Sequence, residues 1–162
     1  MLVTVAFFQF SISATSRVYP LNFEPWQRNT KGRAALVPYP SSPGGVDSLV
    51  RATSFQDLKN ELARYGNQRY NLDTLKNWIK PVATWAARYN VVVVCNEFGS
   101  YKARAPQKSR LNWIGDIRKA FEANQIPWAM WEYDEGFGWI EYAGNGRRQP
   151  KIDTEVLRAL GL

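Results

Sequence analysis

The chain has no histidine and a single cysteine among its 162 residues. The first absence removes histidine acid/base chemistry, serine-histidine-aspartate triads and the usual zinc sites, so any reaction must run on carboxylates, tyrosines or lysines. No metal site and no cofactor are expected. With one cysteine no intrachain disulfide can form, and Cys95, set in an apolar run, reads as a small buried hydrophobe. No apolar run is long enough to span a membrane as a helix. Long runs of one charge are also missing. The 21 Lys and Arg against 14 Asp and Glu give a net charge of +7, but the basic residues are scattered. Small groups at residues 102–110 and at Arg147-Arg148 match no nucleic-acid module, and neither nucleic acid nor membrane is expected as a partner.

Aromatic and apolar residues are plentiful. A hydrophobic content of 45% in a chain of one-domain length supports a packed core. Seven tryptophans and eight tyrosines exceed what such a core needs, and surplus aromatics commonly line sites for flat ligands such as sugar rings.

The start, with Leu2-Val3-Thr4-Val5-Ala6-Phe7-Phe8 followed by small polar residues, fits either a strand or the apolar core of a signal peptide that lacks a positive leader. Residues 16–45 are rich in Pro, Ser, Gly, Asn and Arg, show no periodicity and read as a long irregular connection. A short helix is expected near residues 56–65. In a longer one Leu75, Trp78, Ile79, Val82, Trp85 and Tyr89 recur at three- and four-residue spacing, with Asn71 or Asp73 as cap and Pro81 as a kink.

Val91-Val92-Val93-Val94 then predicts a parallel strand buried on both faces. A helix over residues 109–123 follows, with Leu111, Ile114, Ile117 and Phe121 inward. Next come a strand over 126–131, a Gly-rich loop over 132–146 and a last helix over 153–160. Alternating strands and helices imply a parallel sheet with right-handed crossovers. About three βα units are present where a closed eight-stranded barrel takes roughly 250 residues, so the fold is a small open α/β domain or part of a barrel.

Both buried strands end alike, in Cys95-Asn96-Glu97-Phe98-Gly99 and in Met130-Trp131-Glu132-Tyr133-Asp134-Glu135-Gly136-Phe137-Gly138. In a parallel sheet such ends lie side by side, which directs Glu97 and Trp131 into one cleft. A carboxylate that meets an anomeric carbon beside an indole that stacks on the ring is what cleavage of a sugar bond requires. Glu132 and Glu135 follow the second strand, and salt pairing is the expected role of each.

These residues resemble the carboxyl-terminal part of glycoside hydrolase family 5, the cellulase family. The matching pieces are Val37-Pro38-Tyr39-Pro40, the run from Val91 to Tyr101, Arg110-Leu111-Asn112-Trp113-Ile114-Gly115-Asp116-Ile117-Arg118, and Ile126 to Tyr133. The resemblance implies a partial (β/α)8 TIM barrel built from carboxyl-terminal βα units, its parallel strands resembling the sixth to eighth and its helices outside. Residues 1–45 would be a poorly matching strand plus irregular segment, and residues 46–162 the barrel part. It further implies a retaining β-glycosidase of the endoglucanase kind, acting on a β-linked oligo- or polysaccharide. Glu97 looks like its nucleophile, Trp131 like the stacking platform, and Asn96 and Tyr133 like further substrate contacts. Secretion or export to the periplasm is what the family implies.

The departures matter equally. The family's acid/base sits on an Asn-Glu-Pro motif that this chain lacks; Asn22-Phe23-Glu24-Pro25 carries an inserted Phe and is a decoy. The family's sixth-strand His-x-Tyr pair has no counterpart in Ala6-Phe7-Phe8-Gln9-Phe10, and nothing in the spacing of Tyr19 makes it a substitute. The chain is therefore expected to be truncated and inactive alone, and to self-associate through open barrel edges. A non-catalytic sugar-binding module using Trp131, Tyr133 and Trp139 is the alternative, and a basic nucleic-acid binder a third reading.

Overall fold

A computed structural model describes residues 2–3, 37–102, 105–143 and 149–162. Asn22-Phe23-Glu24-Pro25, Ala6 to Phe10, Tyr19 and Arg147-Arg148 lie outside the described residues. The elements in order are β1 (Leu2–Val3), α1 (Pro43–Ala52), α2 (Gln56–Gln68), α3 (Leu72–Tyr89), β2 (Val92–Val93), β3 (Cys95–Phe98), α4 (Gln107–Ala123), β4 (Trp128–Met130), β5 (Ile140–Tyr142), β6 (Pro150–Ile152) and α5 (Thr154–Leu160).

Local chemistry sets the helix ends. Ser42 caps α1, its hydroxyl accepting from the Gly45 amide at 3.0 Å with Pro43 at the first position, so α1 starts inside the stretch read as irregular. Asn71, rather than Asp73, caps α3 through the Thr74 amide at 3.0 Å, and α3 runs on through Pro81. Asn90 ends it in the left-handed conformation that asparagine tolerates. Asp153 caps α5 through the Glu155 and Val156 amides.

The strands pair in parallel, β1 with β2 (Leu2 opposite Val92) and β3 with β4 (Cys95 opposite Trp128). Helices α3, α4 and α5 pack side by side. Between helices and strands lies a core in which Leu75, Ile79, Cys95, Phe98, Ile114, Ile117, Phe121 and Val156 are almost fully buried. Phe98 anchors it, with its ring centroid 5.5 Å from Trp128, 5.7 Å from Phe121 and 6.3 Å from Trp113.

Three expectations need correction. The valine run is buried on one face only: Val93 is 3% exposed and Val92 is 53% exposed. Val93 and Cys95 turn toward the helices, while among the described residues nothing covers the face that Val92 shares. Trp85 and Tyr89 continue the apolar stripe of α3 but are exposed, stacked on each other with Arg88 over the Tyr89 ring. Val82, Ala83 and Ala86 around them pack on the core, so Trp85 and Tyr89 stand beside the covered strip of α3. Third, the Gly-rich stretch contains β5, which pairs antiparallel with β6, Ile140 opposite Ile152.

Candidate active site

The register of β3 against β4 builds the site. Cys95 pairs with Trp128 and Phe98 with Met130, so two residues, Asn96 and Glu97, oppose the single Ala129. This is a β-bulge, a device that re-aims side chains and recurs beside active sites. Cys95 and Phe98 thereby both reach the helix-covered core, and Asn96 and Glu97 are left to the other face. Because Met130 is in register with Phe98, the residue after it, Trp131, also turns to that face.

The two strand ends are joined tightly. The Trp131 amide donates to the Phe98 carbonyl at 2.7 Å. Gly99 lies against the Trp131 backbone, where an added Cβ would stand 2.2 Å from the Trp131 carbonyl oxygen and 3.1 Å from the Phe137 ring. Trp131 is 49% exposed and Tyr133 is 55% exposed, and the Tyr133 ring meets Trp139 edge-on at 5.1 Å. Asn96 is exposed on the bulge.

Glu97 is only 8% exposed. Among the described residues no hydrogen bond or ion pair reaches its carboxyl, and its backbone carbonyl accepts from the Cys95 thiol. Burial, and secondly the carboxylate of Glu132, raise Glu97 above the usual carboxylate range. Burial likewise pushes the Cys95 thiol up to about 11, which keeps it protonated and inert.

Glu132 is thus not the salt-paired side chain expected. Its charge acts on Glu97, and its Oε1 accepts from the Phe137 amide at 3.3 Å. For Glu135 no ion pair is formed among the described residues.

Sequence reasoning gave Arg110 no role, counting it in the small basic group at residues 102–110 and in a motif that matches the family. It is 3% exposed and reaches the loops after both strands: Nε donates to the Ser100 carbonyl at 3.0 Å, and Nη2 donates to the carbonyls of Phe137 at 2.8 Å and Gly138 at 3.0 Å. Its Nη1 stands 3.7 Å from the Asp153 carboxylate. A signal existed, since Arg110 falls on the inward stripe of α4 with Ile114, Ile117 and Phe121. On the outer side of the same helix, Asp116 accepts from the buried Tyr39 hydroxyl at 3.0 Å and ties down the segment around Pro38. A hollow of about 420 Å³ lies nearby, between α4, α5 and Pro40, and holds none of the strand-end residues.

No protein-family model matches the chain. Its sequence is 40% identical over 135 residues to endoglucanase 3 of Fibrobacter succinogenes, covering 78% of this chain and 19% of that protein. It is 26% identical over 108 residues to endoglucanase C of Acetivibrio thermocellus, covering 67% of this chain and 30% of that protein. The chain therefore spans less than a third of either relative. A crystal structure of a glycoside hydrolase superposes with a TM-score of 0.55 at 16% identity, over 90% of this chain and 39% of that one. The fold is that of part of a glycoside hydrolase α/β barrel. The family is the cellulases: the chain is a relative of these hydrolases and corresponds to their carboxyl-terminal part.

Proposed function

We propose that the chain carries the nucleophile side of a retaining β-glycosidase site that acts on a β-linked glucan. In this reading β1 corresponds to the sixth barrel strand, β2 and β3 to the seventh and β4 to the eighth, and residues 46–162 form the barrel part. Glu97 attacks the anomeric carbon while Trp131 stacks on the sugar ring, and Asn96 and Tyr133 contact its hydroxyls. The glycosyl-oxygen bond breaks as the Glu97–carbon bond forms, and water later releases the sugar with retained configuration.

The observation that supports this best is the state of Glu97. A buried carboxylate kept for structure is normally paired, because leaving a buried charge unpartnered is costly. This one is unpaired among the described residues, sits on a bulge at a parallel strand's carboxyl end, and shares its face with an exposed indole. The raised pKa makes it a stronger base once ionised. Retention also needs an acid about 5–5.5 Å away to protonate the departing oxygen. We assign that role to no residue of this chain, and expect the chain alone to be inactive on unactivated glucan.

Titration calorimetry with cello-oligosaccharides, alongside hydrolysis of carboxymethyl-cellulose, tests the reading. Binding heat that Trp131→Ala abolishes, without turnover, is expected. Absence of heat with every sugar would overturn it, and turnover lost in Glu97→Gln would uphold the nucleophile but contradict inactivity. The endoglucanase relatives do not favour the sugar-binding-module alternative.

A further inference from the structure

We infer that Arg110 is a positioning residue which, through the Phe137 backbone and Glu132, fixes the surroundings of the Glu97 carboxyl. The inference rests on the reading of Glu97 as the acting group, but its test uses no sugar. The path is hydrogen-bonded from Arg110 to Glu132, and its last step, from Glu132 to Glu97, is the repulsion between two carboxylates. Along one edge, formed by Nε and Nη2, the Arg110 guanidinium holds the Phe137 and Gly138 carbonyls together with the Ser100 carbonyl, three residues beyond Glu97. The same Phe137 residue offers its amide to Glu132 Oε1. Phe137 also packs on Tyr101, and the Lys102 amide donates to the Gly136 carbonyl at 2.8 Å, so the loops after β3 and β4 form one unit.

The choice of arginine has a physical reason. A planar fork with several donors can serve three carbonyls and a carboxylate at once, which a lysine ammonium on a flexible stem cannot. Buried at 3% exposure, the cation is held by those carbonyls and by Asp153 at the start of α5. Packing alone needs no such group on the inward stripe of a helix, where an aliphatic side chain would serve. What the guanidinium adds is a fixed distance between the loop that carries Glu132 and the strand end that carries Glu97. Among the described residues the charged group that bears on the Glu97 carboxyl is Glu132; the neighbouring Cys95 thiol stays protonated while Glu97 titrates.

The test is the titration of Glu97 in the full chain, followed by carbon NMR of labelled glutamate and assigned with Glu97→Gln. Glu132→Gln should move the Glu97 midpoint down toward the ordinary carboxylate range. Arg110→Lys, which keeps the charge and loses the fork, should move it as well, but not when Glu132→Gln is already present. Leu62→Ala, a core change of α2, should lower stability without moving the midpoint, separating positioning from stability. In the unmodified chain the Phe137 amide and the Arg110 Nε–H resonances should follow the Glu97 midpoint, a measurement that stands even where Arg110→Lys fails to fold. Resonances blind to that midpoint, or a Glu97 titration unchanged in folded Arg110→Lys, would overturn the inference. A chain that binds no glucan would overturn the proposed function and leave this result standing.

Discussion

The Trp131 amide donates to the carbonyl of Phe98 at 2.7 Å. This one bond joins the residue after β4 to the residue after Glu97, so the indole and the carboxyl are set by backbone pairing rather than by flexible loops. The bulge at Asn96 and Glu97 completes the arrangement, because it sends Phe98 into the core while Glu97 is left on the other face, itself buried.

Glu97→Gln is expected to stabilise the fold near neutral pH. The folded pKa lies above the unfolded value of about 4.3, so the native state binds the proton more tightly, and stability falls as pH rises through the folded pKa. The variant should melt higher than the parent chain at pH 7, with the difference closing in acid below the unfolded pKa. Thermal melts across that range check it, and a variant less stable at pH 7 would contradict the burial of an unpaired acid.

Gly99→Ala should be costly, since its methyl would stand 2.2 Å from a backbone oxygen that cannot rotate away. A loss of about 1–3 kcal/mol is expected from forced backbone shifts. Denaturant unfolding would read it, together with weaker sugar binding as Trp131 is displaced.

Phe98→Ala should remove the centre of the aromatic cluster formed with Trp113, Phe121 and Trp128. A loss of about 3–5 kcal/mol is expected for a buried phenylalanine, and in a chain of this size that would leave little folded protein. Circular dichroism melts measure it.

The face of β2 that no described residue covers and the exposed end of α3 should make the isolated chain self-associate. Val92 is more than half exposed on a short parallel strand, and Trp85 and Tyr89 add apolar surface. Size-exclusion chromatography should show species larger than a monomer, reduced by Val92→Lys. A monomer with a sharp cooperative melt would contradict this.

The helices were legible because their apolar spacing is long enough to define a face: Leu75 and Ile79 on α3, and Ile114, Ile117 and Phe121 on α4, are buried as spaced. Trp85 and Tyr89 show the limit, since periodicity marks an apolar face but not how wide a strip of it the neighbours cover. The two strand ends and their carboxylate could be read from the abrupt change from apolar to acidic residues. The bulge could not, because register is a property of a pair of strands. β5 was hidden by its glycine-rich surroundings, and Arg110 by its charge. A buried cation is legible only from the carbonyls that meet it, and these come from loops distant in sequence.

The most direct test of Glu97 as nucleophile is covalent trapping with a fluorosugar β-cellobioside bearing a dinitrophenolate leaving group, which departs without a proton and so bypasses the unassigned acid. Mass spectrometry of peptides from the treated chain should find the sugar on the peptide containing Glu97 and on no peptide of Glu97→Gln. A folded, sugar-binding chain that stays unlabelled, or one labelled on another carboxylate, would contradict the account.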